Sequence, residues 1–206
     1  MKEKHFIDSH KAATFLFVLM LMAAFDRWDN ATLWIYLALH GTYGLMWAFK
    51  SRLFPDKQWE KPASFVRAAV IWFGLTLYWI APFIIAWQDV QAPYWLLALA
   101  IALNLVGTVF HFAADMQKYV QLRTQPGRLI TDGFWSLSRS PNYFGEFLIY
   151  GSFALLGMHW LPWAALGAMI VGAWIPYLLR KERSLSRYPE FAAYKARVRA
   201  FVPFLF

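Results

Sequence analysis

The chain has 206 residues, of which 60% are hydrophobic, 20% aromatic and only 16% charged, with a mean hydropathy of +0.38. An ordinary soluble domain carries about 25% charged residues, so this chain lacks the polar surface to cover a water-soluble core. There is no cysteine, which excludes disulfides, thiolate nucleophiles and thiolate metal sites. The net charge is +8. In a membrane chain such a balance points to anionic headgroups and not to nucleic acid.

Apolar runs at 12–25, 31–49, 64–87, 93–114, 143–158 and 160–179 are the candidate spans. A membrane helix needs about 20 mostly apolar residues, so the first and the last two are short. The first run follows Lys2, Lys4 and Lys11 as a signal-peptide core would, but no small-x-small cleavage site precedes Asp26. It is therefore expected to stay as a span. Gly157 and Pro162 bracket a turn between the last two runs. The prediction is an all-α fold, a polytopic transmembrane helical bundle of about six spans forming a single membrane domain over 1–206. Within it, residues 1–90 form the substrate-side helices and 91–206 the cofactor half.

Charge placement orients the bundle. Nineteen of the 20 Lys and Arg residues lie before the first span, in 50–67, in 118–139 or from residue 180 onward. Only Arg27 lies on the other side. By the positive-inside rule both termini are cytoplasmic, as expected for an inner (cytoplasmic) membrane protein. Trp28, Trp59, Trp87, Tyr94, Trp95, Trp160, Trp163 and Tyr177 sit near span ends, as an interfacial belt requires. Segment 50–62 reads as a loop with two prolines. Segment 115–141 is the longest polar stretch. Its first part, 115–122, continues the fourth helix, Pro126-Gly127 breaks it, and Thr131-Asp132-Gly133 turns the chain back.

Polar groups at membrane depth are costly and mark sites or interhelical bonds. His40, Tyr43, Trp47 and Lys50 recur at spacings of 3, 4 and 3 on one face of the second span. They read as a proton donor, Tyr43, with a tuning His40, or as interhelical hydrogen bonding. Asn104, His111 and Asp115 share a face of the fourth span. They form a cofactor wall or a helix-end pair, with too few ligands at the right spacing for a metal. In Arg139-Ser140-Pro141-Asn142-Tyr143-Phe144-Gly145-Glu146, Pro141 suits the first turn of a helix, and Asn142 and Glu146 project from one face. A carboxylate one turn into an apolar helix needs a partner. That partner is Arg139, Arg180 or a ligand donor such as a carboxamide. The tail, with Arg180, Lys181, Arg183, Arg187, Tyr188 and Lys195, reads as surface anchoring or as pyrophosphate binding.

The run GFWSLSRSPNYFGE, preceded by DMQKYVQLR and followed by a helical hairpin and a basic tail, resembles the C-terminal domain of the steroid 5-alpha-reductase family. In particular it resembles the small bacterial relatives of that family. The wider superfamily also holds sterol reductases and isoprenylcysteine carboxyl methyltransferases. The resemblance covers about 104–206 and implies a cofactor pocket open to the cytosol and lipid-side entry of an apolar substrate. It places Asn142 and Glu146 beside the nicotinamide of NADPH, with His111, Asp115, Arg123, Arg139, Tyr143, Arg180, Arg183 and Tyr188 as further cofactor contacts. Tyr43, with His40, becomes the nearest match to the family's proton donor. Two departures stand out: His111 occupies an expected Asn position, and the basic cluster after the last span has no His. The implied activity is NAD(P)H-dependent reduction of a conjugated C=C bond in an apolar lipid or steroid-like substrate. The alternatives are an S-adenosylmethionine-dependent lipid or isoprenyl methyltransferase, and a non-catalytic lipid-binding membrane protein. Glu146 favours the reductase, because methyltransferases of this fold carry Arg-His-Pro-x-Tyr without that Glu.

Overall fold

The computed structural model describes residues 1–204 and is helical throughout, apart from an isolated bridge between Lys2 and Pro62. In chain order the helices are α1 (Glu3–Ala24), α2 (Ala31–Leu53), α3 (Phe65–Thr76), α4 (Ile80–Gln88), α5 (Tyr94–Thr124), α6 (Phe134–Leu137), α7 (Pro141–Leu156), α8 (Trp160–Met169), α9 (Ile175–Leu185) and α10 (Phe191–Arg197). Four stretches are long and apolar enough to cross a membrane: Glu3–Ala24, Phe65–Gln88, Tyr94–Thr124 and Trp160–Leu185. The chain is a polytopic helical membrane protein.

Two of the six expected spans fall outside those four for physical reasons. Helix α2 has the length, 23 residues, but His40, the tyrosines and tryptophans, Lys50 and Arg52 dilute its apolar character. Helix α7 has 16 residues. At about 1.5 Å per residue it is roughly 24 Å long, short of the ≈ 30 Å hydrocarbon core. The third expected span is continuous but not uniform. Pro82 has no N–H for the Tyr78 carbonyl, and a 3₁₀ turn at Leu77–Trp79 joins α3 to α4 there. The released Tyr78 oxygen accepts instead from the Tyr36 hydroxyl (3.2 Å).

Two compact units make up the chain. The first comprises Met1–Asn104 and Tyr150–Gly167, the second Leu105–Ile149 and Ala168–Phe206. The boundary between these units falls within α5, and the 150–167 hairpin groups with the N-terminal helices. Periodicity along the sequence shows where a helix runs, but not which neighbour its apolar face chooses.

In the first unit, polar side chains tie the turns on the Arg27 side. Asn30 caps α2 by accepting from Leu33 N (2.8 Å) and donates to Asp89 (2.8 Å). Arg27 donates to the Ala86 carbonyl (3.0 Å). At the opposite end Lys2 and Lys4 both reach Glu60 (2.5 Å each), and Glu3 pairs with Arg67 (3.1 Å). The hydrogen bond from Lys2, then that from Lys4, holds the Glu60 carboxyl below its usual range.

In the second unit, α5 runs 31 residues to Thr124. The chain then breaks at Gly127 (φ +83°) and turns at Gly133 (φ +56°), as the loop residues predict. A small core of Leu129, Phe191, Tyr194 and Val198 anchors the loop to α10. Tyr194 donates to the Trp135 carbonyl (2.6 Å), and burial pushes its phenol well above the ordinary 10.0. A raised folded pKa stabilises the fold fully below the unfolded value and loses that contribution as pH climbs above it. Thermal melts in detergent should therefore show stability falling from about pH 10 upward. Tyr194→Phe should flatten that decline while costing about 1 kcal/mol near neutrality, from the orphaned carbonyl.

Candidate functional site

The second unit brings together the polar residues of α5 and α7. Gly107 on α5 and Gly145 on α7 let the two backbones touch. A Cβ on Gly107 would lie 2.6 Å from the Gly145 oxygen, and one on Gly145 would lie 2.5 Å from the Gly107 oxygen. This close approach places His111 and Asp115 directly against the first turns of α7. His111 Nδ1 lies 3.2 Å from the Asn142 carbonyl. A carbonyl only accepts, so Nδ1 carries the hydrogen. The imidazole lies between two carboxylates, with Nε2 3.9 Å from Asp115 Oδ2 and Nδ1 3.9 Å from Glu146 Oε1. Asn142 Nδ2 donates to Asp115 Oδ1 (3.0 Å), which fixes the amide orientation. Its Oδ1 is buried and has no hydrogen-bond partner among the described residues. A buried acceptor without a donor costs about 1–3 kcal/mol, and such an atom in a native site calls for a ligand or water.

Arg139 is tied down by several partners. Its Nε and Nη2 grip Glu182 (3.0 and 2.9 Å), and Nη1 donates to the carbonyls of Val198 and Lys195. Its carboxylate partner is Glu182 and not Glu146. It fastens the segment before α7 to α9 and the chain end. Lys181, one of the basic tail residues, turns to the same segment: its Nζ donates to the Arg139 carbonyl (2.6 Å) and Ser140 Oγ (2.5 Å), just ahead of Pro141. The Arg139–Glu182 pair is largely buried, with side-chain exposures of 7% and 22%. Glu182→Gln should cost about 3 kcal/mol by leaving a guanidinium uncompensated, read as a lower denaturation midpoint.

The other cofactor candidates also lie in this unit. Arg123 stacks over Tyr119 (4.3 Å), and Arg180 over Tyr177 (4.5 Å). Arg180 Nε donates to the Pro176 carbonyl (3.2 Å). Tyr143 meets Trp174 edge-on (5.8 Å), at a π-helical turn spanning Ile170–Trp174. Tyr188 packs on the Tyr194 core and its hydroxyl accepts from Arg187 (3.2 Å). Arg183 sits on the last turn of α9. The predicted final span ends at 179, but the helix continues to Leu185, so Arg180 and Arg183 project from a rigid helix.

Tyr43 and His40 lie in the first unit. His40 is anchored by Tyr36: the Tyr36 hydroxyl lies 2.9 Å from Nδ1, and the His40 ring stacks on Phe153 (4.3 Å). The hydroxyl of Tyr43 lies 3.4 Å from that of Tyr150, which in turn accepts from Lys11 Nζ (3.0 Å). Lys11 and Tyr150 escaped the sequence reading. The available signal was the four-residue step from Asn142 through Glu146 to Tyr150 along α7.

Comparison with known proteins gives one match by family model and none among curated proteins. The family is described as "Protein of unknown function (DUF1295)" and its model matches residues 1–198. Spanning both units and every residue of the candidate site, that match makes the chain a member of the DUF1295 family.

Proposed function

We propose that the protein is a membrane-embedded, NAD(P)H-dependent reductase of a conjugated C=C bond in an apolar, lipid-like substrate. The observation that carries this reading is the buried, unpartnered Oδ1 of Asn142, one helical turn from Glu146. Together they offer two acceptors to the N–H donors of a carboxamide, the group that distinguishes a nicotinamide. Asp115 holds the Asn142 amide so that the oxygen, not the nitrogen, is offered. His111 braces the first turn of α7 through the Asn142 carbonyl. Arg123, Arg180 and Arg183 supply the positive charge that a dinucleotide phosphate requires. When bound, the cofactor supplies a hydride. The resemblance of 104–206 to the steroid 5-alpha-reductases supports the same reading, as does Tyr43, a phenol that can donate a proton. The excess of Lys and Arg in the N-terminal, 50–67, 118–139 and C-terminal segments supports a site facing the cytoplasm of an inner membrane.

The competing cofactor is S-adenosylmethionine, and one experiment separates the two. Purified protein in detergent is titrated with NADPH, NADH and S-adenosylmethionine, and the melting temperature is followed. A ligand at about 100 times its Kd stabilises by about 2.7 kcal/mol. NADPH or NADH should raise the melting temperature at sub-millimolar concentration. Stabilisation by S-adenosylmethionine alone would establish a methyltransferase, and stabilisation by none a lipid-binding protein.

A further inference from the structure

In the second unit the chain end returns to the membrane surface. Helix α9 leaves its apolar stretch at Leu179, which is 56% exposed. Glu182 follows about 4.5 Å further along the helical rise, inside a headgroup layer roughly 5–8 Å thick. A chain continuing outward would leave that layer, but Arg139 brings it back. The Arg139 guanidinium holds both Glu182 and the Val198 carbonyl, and its backbone N–H donates to the Arg199 carbonyl (2.8 Å). Ser138 Oγ donates to the Phe201 carbonyl (2.7 Å). Residues 198–201 therefore lie at the depth of Glu182. Phe201 then meets Phe144 and Phe147 of α7 edge-on, with ring centroids 6.1 and 5.9 Å apart. The chain thus dips toward the apolar part of that helix. Phe204 comes next and is 78% exposed.

Charge is sorted the same way. Along α10 and its end, Phe191, Tyr194 and Val198 turn inward to the Leu129 core, which leaves Lys195, Arg197 and Arg199 exposed. No acidic residue follows Glu190 in the sequence. Exposed cations beside an exposed phenylalanine at headgroup depth have the composition of an interfacial lipid-binding segment. An anionic headgroup supplies the negative charge that this end of the chain lacks. We propose that residues 195–204 bind an anionic phospholipid, with Lys195, Arg197 and Arg199 on its headgroup phosphate and Phe204 among its acyl chains. The segment uses other side chains than Asn142 and Glu146, so the proposal stands whichever cofactor the protein takes.

The test exploits the absence of cysteine. Phe204→Cys in the full chain gives a single site for the apolar fluorophore NBD. The labelled protein in neutral detergent micelles is titrated with phosphatidylglycerol or phosphatidylcholine carrying a doxyl quencher on the acyl chain. Phosphatidylcholine is the control, because its choline cancels the phosphate charge. Each basic side chain at an anionic surface contributes about a fivefold factor. Quenching should therefore half-saturate at a far lower mole fraction of phosphatidylglycerol, and Arg197→Gln/Arg199→Gln should weaken that binding about thirtyfold. Lys195→Gln should weaken it about fivefold and decides if the double variant fails to fold, which circular dichroism reports. Solvent-like emission with no quenching by either lipid overturns the proposal. Equal affinity for the two lipids, or unchanged affinity in the folded variants, does the same. Reversal of quenching by inorganic phosphate, but not by chloride at equal ionic strength, would make the segment a site for free anions and overturn its assignment to lipid.

Discussion

Gly145→Ala should destabilise the second unit by about 1–3 kcal/mol or more, the cost of overpacking a close-fitted contact. The added methyl would meet the backbone of α5 at His111 and Gly107, and backbone atoms cannot rotate away. The helices must separate, and their separation breaks the contacts His111 makes with the first turn of α7. Membrane helices associate largely through packing that small residues permit, so the loss falls on the term that holds the pair together. Gly107→Ala should behave alike, since its Cβ would lie 2.6 Å from the Gly145 oxygen and 2.8 Å from Leu148 Cβ. Gly167→Ala is the control: nothing lies within 4 Å of its Cβ, and alanine favours helix by about 1 kcal/mol over glycine. Denaturation in detergent should rank Gly167→Ala at or above wild type, with both other variants well below.

The helices that the sequence announces are those whose apolar runs are long. Their ends follow from local chemistry: Pro141 opens α7, the break at Pro126-Gly127 follows the end of α5, and the turn near Gly157 separates α7 from α8. The face of α5 carrying Asn104, His111 and Asp115 was also legible, because all three are buried at helical spacing. Partner choice was not. Glu146 and Arg139 are neighbours along the chain, yet Arg139 turns to Glu182, 43 residues away, because the geometry of the chain end brings Val198 and Lys195 to the same guanidinium. Lys11 read as part of a basic leader because charge counting ignores depth. Only the packing of α1 against α2 places its ammonium over Tyr43. Tyr150 was hidden for a related reason: in an aromatic-rich helix a phenol carries no distinguishing signal until its hydroxyl has a neighbour.

Glu146→Gln should weaken NADPH binding about tenfold or more while leaving the fold intact, because a hydrogen bond to a charged group contributes about 1.5–3 kcal/mol. Gln keeps the shape of Glu and one of its acceptors, so lost affinity reports the charge. Asn142→Leu gives the complementary result. Its apolar side chain removes the unpartnered Oδ1, whose burial costs about 1–3 kcal/mol, at the expense of the bond to Asp115. The ligand-free protein should keep its helical fold, yet show no rise in melting temperature with NADPH. A site kept for function is expected to behave this way, with stability sacrificed locally for an acceptor that only a ligand satisfies. Asn142→Asp should do neither, since a second carboxylate 3.0 Å from Asp115 Oδ1 would repel it and lower the melting temperature. If all three variants respond to NADPH as wild type does, Asn142 and Glu146 serve the packing of α7 alone, and the nicotinamide reading of the site fails with them.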